Sequence, residues 1–205
     1  MVTNNYGILA SLDWNSNNWQ QPSTEEDLNH SNFGYAKEHQ FSFASLNFGY
    51  EQYPADEKGF YLAQLPQLET KPLDYYKAKG IEVVFIKSRN WNDSQNYIVG
   101  LYAFPSFDKG SHPAPIDDVA FELEYNMKSL PKDICLLENF INLNTHPTLK
   151  TFVPKGKDIG KQSFAYLNKQ NVLKLLDECS KANPQDARLS NIKFRLLKNL
   201  LQKKA

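Results

Sequence analysis

Short apolar stretches separated by polar loops dominate the first two thirds of the chain, a pattern typical of β-strands. Strands are predicted where such stretches alternate or are rich in β-branched and aromatic residues, at 6–12, 41–50, 59–65, 81–87, 97–104, 119–125 and 134–142. The stretches 81–87 (IEVVFIK) and 97–104 (YIVGLYAF) are the strongest, and together they predict an antiparallel hairpin with a long polar tip. Gly100 in the second stretch predicts a bulge or a close approach of two backbone segments.

Towards the C-terminal end, the apolar residues change to helical spacing. Leucines and other apolar residues recur every three or four positions over 168–182 and 188–202, on either side of Pro184. This spacing predicts two amphipathic helices, of which the second is basic. Ser23 and Glu26 have the spacing of a capping box, so a helical turn is predicted to begin there. Many short strands followed by helices predict an α+β fold built round a small barrel.

Composition limits the class of protein. The chain has 205 residues, of which 41% are hydrophobic, so it can build a core, and disorder of the whole chain is excluded. No apolar run approaches the roughly 18 residues that span a bilayer, and the polar N-terminus lacks a signal-peptide pattern, so no membrane partner is expected. The only cysteines are Cys135 and Cys179, which excludes a disulfide framework and a four-thiolate zinc site. These features predict a protein of the reducing cytoplasm.

The net charge is zero, but the charges are unevenly distributed. Residues 1–149 contain 10 Lys and Arg against 19 Asp and Glu, whereas residues 150–205 contain 13 against 4. Such asymmetry is typical of proteins that bind a polyanion or an acidic partner, although a solvated lysine-rich helix produces the same pattern. Both interpretations stay open at this point.

The sequence lacks the patterns of common catalytic sites. The histidines are isolated from one another, so no metal site is expected. Residues 156–161 (GKDIGK) have three residues between the glycines instead of four, and Gln162 stands in place of the Ser or Thr of a phosphate loop. No motif of an activated nucleophile is present. We therefore predict that the protein is not an enzyme and needs no cofactor.

One enzymatic alternative rests on three charged residues. Asp56, Glu69 and Lys71 occur in the order found in metal-dependent nucleases, in which carboxylates hold Mg²⁺ and a lysine assists the attacking water. Pro72 follows directly and Glu69 lies in a polar stretch, which favours ordinary surface charges. A Mg²⁺-dependent nuclease is kept as an alternative.

All three tryptophans lie in polar loops. Trp14 and Trp19 follow the first predicted strand, and Trp91 lies at the Asn-rich tip of the predicted hairpin. Leaving such a large apolar ring in water costs free energy, so each ring either packs or binds a ligand. The rings therefore plug the end of a small barrel, or form a cage for a flat or methylated group. Lys87 and Arg89 flank the hairpin tip and could bind phosphates.

Three segments carry a resemblance to a known family. They are residues 80–104 (GIEVVFIKSRNWNDSQNYIVGLYAF), 6–14 (YGILASLDW) and 159–167 (IGKQSFAYL). These segments resemble the hairpin, the first strand and the closing segment of EVE and YTH domains in the PUA-like superfamily. In style, these segments also resemble the N-terminal modified-base reader of McrB-type methylation-dependent restriction systems, and they cover less than a third of the chain. It departs from the family after the hairpin, where Phe104 and Phe107 stand instead of a common second Trp.

The resemblance implies a small, strongly bent PUA-like β-barrel with flanking helices and the two C-terminal amphipathic helices. Residues 1–182 would form the EVE/YTH-like reader domain, and residues 183–205 a basic C-terminal helix or linker. The implied function is recognition of a modified base in DNA, such as methyladenine or methylcytosine, flipped out of the duplex into an aromatic pocket. A GTPase or nuclease, as a partner or a downstream domain, would then act on the DNA.

The implied pocket combines residues from two loops. By resemblance, its lining consists of Ser11, Asp13, Trp14, Ser88, Asn90 and Trp91. Trp19, Phe48 and Tyr50 are further aromatic candidates for the cage. The candidates for phosphate contacts are the basic residues Lys87, Arg89, Lys155, Lys157 and Lys161.

Two other functions stay open besides the nuclease. A PUA-like RNA-binding protein fits equally well, because contacts to the 2′-hydroxyl of RNA leave no sequence pattern. A protein–protein adaptor could act through the basic C-terminal helix.

Overall fold

A five-stranded mixed sheet lies at the centre of the fold. The computed structural model describes residues 5–31, 43–68, 80–113, 122–146 and 164–202. The strands are β1 (Asn5–Asp13), β2 (Tyr61–Ala63), β3 (Val83–Arg89), β4 (Asn96–Ala103), β5 (Gly110–Pro113), β6 (Glu122–Tyr125), β7 (Met127–Ser129), β8 (Ile134–Asn142) and β9 (Ala165–Asn168). The helices are α1 (Glu25–His30), α2 (Lys169–Ala182) and α3 (Ala187–Gln202), and short 3₁₀ turns occupy Phe43–Leu46, Pro66–Leu68 and Pro131–Asp133.

The order of the strands in the central sheet is β8-β4-β3-β1-β9. Strands β1 and β3 are parallel, whereas the other neighbours are antiparallel, including the predicted hairpin of β3 and β4. Strands β2 and β7, and strands β5 and β6, form two separate two-stranded sheets. The α+β class is therefore confirmed. In the part of the chain that the structure describes, the strands form open sheets and do not close into a barrel.

The two faces of the central sheet bury different kinds of side chain. Alternate residues of β1 and β3 point to opposite faces, as the period of a strand requires. Leu9, Val83 and Phe85 lie on the face covered by α2 and α3. Ile8, Val84 and their neighbours lie on the other face, beneath a layer of aromatic rings. We call these the helix face and the aromatic face.

Helix α3 belongs to the core of the helix face. Leu189, Ile192 and Leu196 are fully buried in the same cluster as the strands. The guanidinium of Arg195 donates two hydrogen bonds to the buried carboxylate of Asp133 and lies 4.3 Å from the ring centroid of Phe104. The predicted boundary between residues 182 and 183 thus does not coincide with a break in the core. None of the helices in the described residues is long and apolar enough to cross a membrane.

Two local predictions are wrong. Residues 43–46 form a 3₁₀ turn and not part of a strand over 41–50, whose first two residues lie outside the described chain. The amide of Asn47 exchanges two hydrogen bonds with the backbone of Gln64, so a side chain takes the place of a strand ladder. The capping box of α1 is formed by Thr24 and Asp27, one position after Ser23 and Glu26.

Gly100 lies at both a bulge and a close approach, as the sequence predicts. A Cβ atom there would stand 2.4 Å from the carbonyl oxygen of Cys135 and 2.5 Å from the ring of Phe48. In the β4–β8 ladder, Ile98 pairs with Ile141 but Gly100 pairs with Leu136. Residues 137–140 therefore bulge out of β8, and we call this segment the β8 bulge.

Candidate functional site

The two loops that carry the tryptophans leave the sheet side by side. Because β1 and β3 are parallel, their carboxyl ends lie at the same end of the sheet, where Asp13 is paired with Arg89. The loop with Trp14 and Trp19 begins directly after Asp13. The tip with Trp91 begins directly after Arg89. The two polar loops therefore begin side by side at one end of the sheet.

The carboxylate of Asp27 joins the two loops. One oxygen accepts hydrogen bonds from the backbone N–H groups of Ser16 (2.9 Å) and Thr24 (3.1 Å). The other accepts from the hydroxyl of Ser16 (2.7 Å) and from the indole N–H of Trp91 (3.1 Å). The ring of Trp91 is also stacked on that of His30, with centroids 4.5 Å apart and an angle of 8° between the planes. The hairpin tip is thus held to α1 through a hydrogen bond and a ring stack.

These hydrogen bonds keep Asp27 ionised. Burial alone would raise the pKa of this carboxyl, but the hydrogen bonds from Ser16, Trp91 and Thr24 outweigh it, and the pKa lies below its ordinary value of 3.8. The site therefore carries a negative charge on the Asp27 carboxylate, and both oxygens of this carboxylate accept hydrogen bonds.

Trp14 and Trp19 belong to a second cluster of rings, on the aromatic face. Their centroids are 5.6 Å apart in an edge-to-face arrangement, and the ring of Phe140 lies 6.0 Å from Trp14 and 6.2 Å from Trp19. Tyr97 completes the surroundings of Trp14 at 6.1 Å. Trp14 is half-buried, whereas Trp19 is 1% exposed and donates its indole N–H to the carbonyl of Asp13 at 2.9 Å. Trp19 plugs the core, and Trp14 keeps part of its ring at the surface.

The polar residues of the predicted pocket lie around the end of the sheet from which the two tryptophan loops leave. The buried hydroxyl of Ser88 donates to the carbonyl of Leu12 at 3.0 Å. Asp13 accepts a hydrogen bond from the hydroxyl of Ser31. The backbone carbonyl of Ser11 accepts from the Gln67 amide at 2.7 Å.

The half-buried Asn90 shapes the hairpin tip. Its side-chain oxygen accepts from the N–H of Asn92 at 2.8 Å, and its own N–H donates to the carbonyl of Gln95 at 2.9 Å. Asn90 therefore fixes the turn that presents Trp91.

Phe48 and Tyr50 do not join Trp14 or Trp91. Phe48 is buried between Trp19 and Tyr102, with ring centroids 6.3 Å and 5.6 Å away. Tyr50 packs against Tyr61 and accepts a hydrogen bond from Arg188 of α3 at 2.5 Å. Both residues support the aromatic face from within.

The candidate phosphate contacts differ in exposure. Arg89 is exposed at the end of β3, whereas Lys87 is only 6% exposed and is covered by its surroundings. Three further candidates lie outside the described residues, namely Lys155, Lys157 and Lys161. Arg89 is therefore the described candidate best placed to reach a phosphate.

The residues of the nuclease alternative are only partly described. The carboxylate of Asp56 accepts hydrogen bonds from the N–H groups of Lys58 (2.9 Å) and Phe60 (2.8 Å), so it holds a turn. Glu69 and Lys71 lie outside the described residues. Within the described ranges, no group of three His, Cys, Asp or Glu residues could hold a metal ion.

Sequence reasoning missed four residues of the site: Asp27, His30, Tyr97 and Phe140. The capping-box pattern pointed near Asp27 but not to its bond with Trp91. Phe140 reaches the tryptophans from the β8 bulge, which no spacing in the sequence indicates. Comparison of the chain with protein-family models, with curated proteins and with solved structures found no match. The geometry of the site therefore carries the functional argument.

Proposed function

We propose that this chain is a nucleic-acid-binding module that recognises a modified base, flipped out of DNA, at the two tryptophan loops. The proposal includes a PUA-like fold and a role as the specificity domain of a modification-dependent restriction system in the cytoplasm. It assigns the chain binding without catalysis, with the DNA processed by a GTPase or nuclease partner or domain.

The observation that carries the proposal is the placement of Trp14 and Trp91. Both rings are half-buried, and each is anchored along part of its surface in a loop that follows one of two adjacent parallel strands. A base removed from the duplex loses stacking that costs a few kcal/mol. Stacking on an aromatic ring returns about 1–3 kcal/mol. Anchored, partly exposed rings suit this task because they lose little freedom on binding.

Polar groups near the rings can orient a base. Asn92 and Asp93 at the hairpin tip are exposed, and Arg89 beside them can pair with a phosphate. Burial of one methyl group adds only about 0.8 kcal/mol, which is roughly a fourfold preference. Stronger discrimination would come from the easier flipping of a modified base.

Matched oligonucleotides test the proposal. The panel contains N6-methyladenine, 5-methylcytosine, 5-hydroxymethylcytosine and the unmodified sequence, each as duplex DNA, single-stranded DNA and RNA. We expect at least a fourfold tighter Kd for one modified duplex than for its unmodified counterpart, measured by fluorescence anisotropy. Equal affinity for all duplexes would contradict modified-base recognition, and a preference for RNA would favour the RNA-binding alternative.

The basic C-terminal region supports the proposed affinity for the phosphate backbone of nucleic acid. Deleting α3 would remove buried residues of the core, so charge-neutralising variants give a cleaner measurement. Lys174 and Lys198 are exposed on α2 and α3. If each lysine contacts a phosphate, replacing it with Gln should make the negative slope of log K against log salt less steep by about 0.9. Lys58→Gln, in the acidic part of the chain, is the matched control, and an equal change in all three would refute a localised contact.

A further inference from the structure

A groove lies between the end of β8 and the end of α2, next to the tryptophan cluster. Its volume is about 400 Å³. The groove is lined by Phe140, Ile141, Asn142, Thr145 and His146 on one side and by Glu178, Lys181 and Ala182 on the other. Phe140 thus lines the groove and also contacts the rings of Trp14 and Trp19. Phe140 therefore stands between the groove and the ring of Trp14.

The β8 bulge that positions Phe140 is fastened to the end of α2. The side chain of Asn183 accepts from the N–H of Asn139 at 2.7 Å and donates to its carbonyl at 3.1 Å. The amide of Asn139 donates in turn to the carbonyl of Ala182 at 3.0 Å. Bulges commonly redirect side chains beside functional sites. This pair of asparagines fixes the wall of the groove, so the groove is preformed.

The polar lining of the groove suits a hydrogen-bonding ring better than a lone phosphate. Glu178 is bonded to Lys181 (Nζ–Oε1, 2.7 Å) and to His146 (Nε2–Oε2, 3.2 Å). The carboxylate of Glu178 offsets the charge of Lys181. The groove still offers the acceptor oxygens of Glu178, the remaining donors of Lys181 and the Thr145 hydroxyl. A nucleobase presents donors and acceptors of this kind along its edge.

We infer that this groove binds a second, unpaired nucleobase, next to the base held at Trp14. The inference rests on the proposed function and names a further subsite for it. The first base stacks on Trp14, and the adjacent base enters the groove on the other side of Phe140. Two neighbouring bases of one strand would then bind on opposite sides of Phe140.

A double-mutant cycle between protein and DNA tests this subsite. Thr145 is exposed at the rim, so Thr145→Trp should fill the groove without unfolding the protein, which thermal melting will verify. The probes are the three modified duplexes, each with an intact nucleotide or an abasic one directly 5′ or 3′ of the modified base. For the parent protein, we expect one abasic position to weaken binding about tenfold. For Thr145→Trp, the intact duplex should bind about tenfold more weakly and the abasic position should have no further effect. Ser190→Trp, on an exposed position of α3, is the control and should behave like the parent.

The outcomes separate the inference from the proposed function. An abasic penalty that persists unchanged in Thr145→Trp overturns the subsite, while a modified-over-unmodified preference in the parent leaves the proposed function standing. Loss of the penalty in Thr145→Trp without any preference for modified DNA supports the subsite and removes modified-base recognition. Absence of binding to every duplex overturns both.

Discussion

The helix face and the aromatic face of the central sheet are packed in different ways. On the helix face, α2 and α3 bury aliphatic residues at regular spacing against the strands. On the aromatic face, loops and short 3₁₀ turns bury rings whose polar ends need partners, such as the Tyr61 hydroxyl that donates to the carbonyl of Leu46 at 2.6 Å. Burial raises the pKa of the Tyr102 hydroxyl well above 10, so this group stays a hydrogen-bond donor. Regular packing thus builds the support on one face, and irregular packing on the other face brings aromatic rings towards the surface.

The largest effect is expected from removing a ring from the core of the aromatic face. Trp19→Ala deletes a fully buried side chain and its hydrogen bond, so it should lower the free energy of unfolding by about 3–5 kcal/mol. Leu176→Ala on the helix face is the matched variant and should cost about 2–5 kcal/mol. Urea denaturation measures both. If the proposed function is right, folded Trp19→Ala should also bind the preferred duplex more weakly, whereas Leu176→Ala should bind it like the parent; an equal loss of affinity in both variants would contradict a functional difference between the faces.

The next effect concerns the backbone contact between β4 and β8. Gly100→Ala places a methyl group against the Cys135 carbonyl and the Phe48 ring, so it should cost about 1–3 kcal/mol or more. Gly59→Ala is the control, because a Cβ there meets open space and only the positive φ of 80° opposes it. We expect about 1 kcal/mol for Gly59→Ala. Equal melting temperatures for the parent and Gly100→Ala would contradict the close approach.

The two half-buried tryptophans should affect binding more than stability. Trp14→Ala and Trp91→Ala should each weaken binding of the preferred modified duplex about tenfold, through lost stacking. Trp91→Ala removes one hydrogen bond and one ring stack at a hairpin tip, so it should lower the melting temperature only slightly, whereas Trp14→Ala should lower it moderately. Titration and thermal melting are measured together. Folded variants that bind like the parent would exclude these rings from the site.

The smallest effect is a pH dependence at the junction of the loops. The pKa of Asp27 is lowered in the folded protein, so its ionised form stabilises the fold fully above its ordinary value of 3.8. This stabilisation is lost as the pH falls through the lower folded value. Asp27→Asn should therefore be less stable than the parent at pH 7, and the difference should narrow towards pH 3. A difference that stays constant with pH would mean that the charge of Asp27 contributes nothing.

Regular elements were predictable from the sequence, because the spacing of their apolar residues indicates which face of the strand or helix is buried. The hairpin of β3 and β4, the strand β8 and the helices α2 and α3 were predicted within a few residues of their observed ends. The alternating aromatic residues of 41–50 led to the wrong prediction of a strand. Residues 43–46 form a 3₁₀ turn instead, and the side chain of Asn47 makes the hydrogen bonds to Gln64 that a neighbouring strand would otherwise make. The positions of Trp14, Trp19 and Trp91 in loops were evident, but their division between core and surface was not. That division depends on Phe140 and Asp27, which reach the loops only through tertiary structure.

The parallel pairing of β1 has a consequence for the order of folding. Its seven residues Gly7–Asp13 pair with Val83–Arg89, and its other edge pairs with residues that follow more than 150 positions later. A ribosome that adds about 5–20 residues per second needs roughly 10–30 s to supply that last partner. During this interval β1, with its buried Ile8, Leu9 and Ala10, has an unpaired edge. The pairing of β1 is thus completed only after β9 has been made, and until then its free edge can pair with another chain.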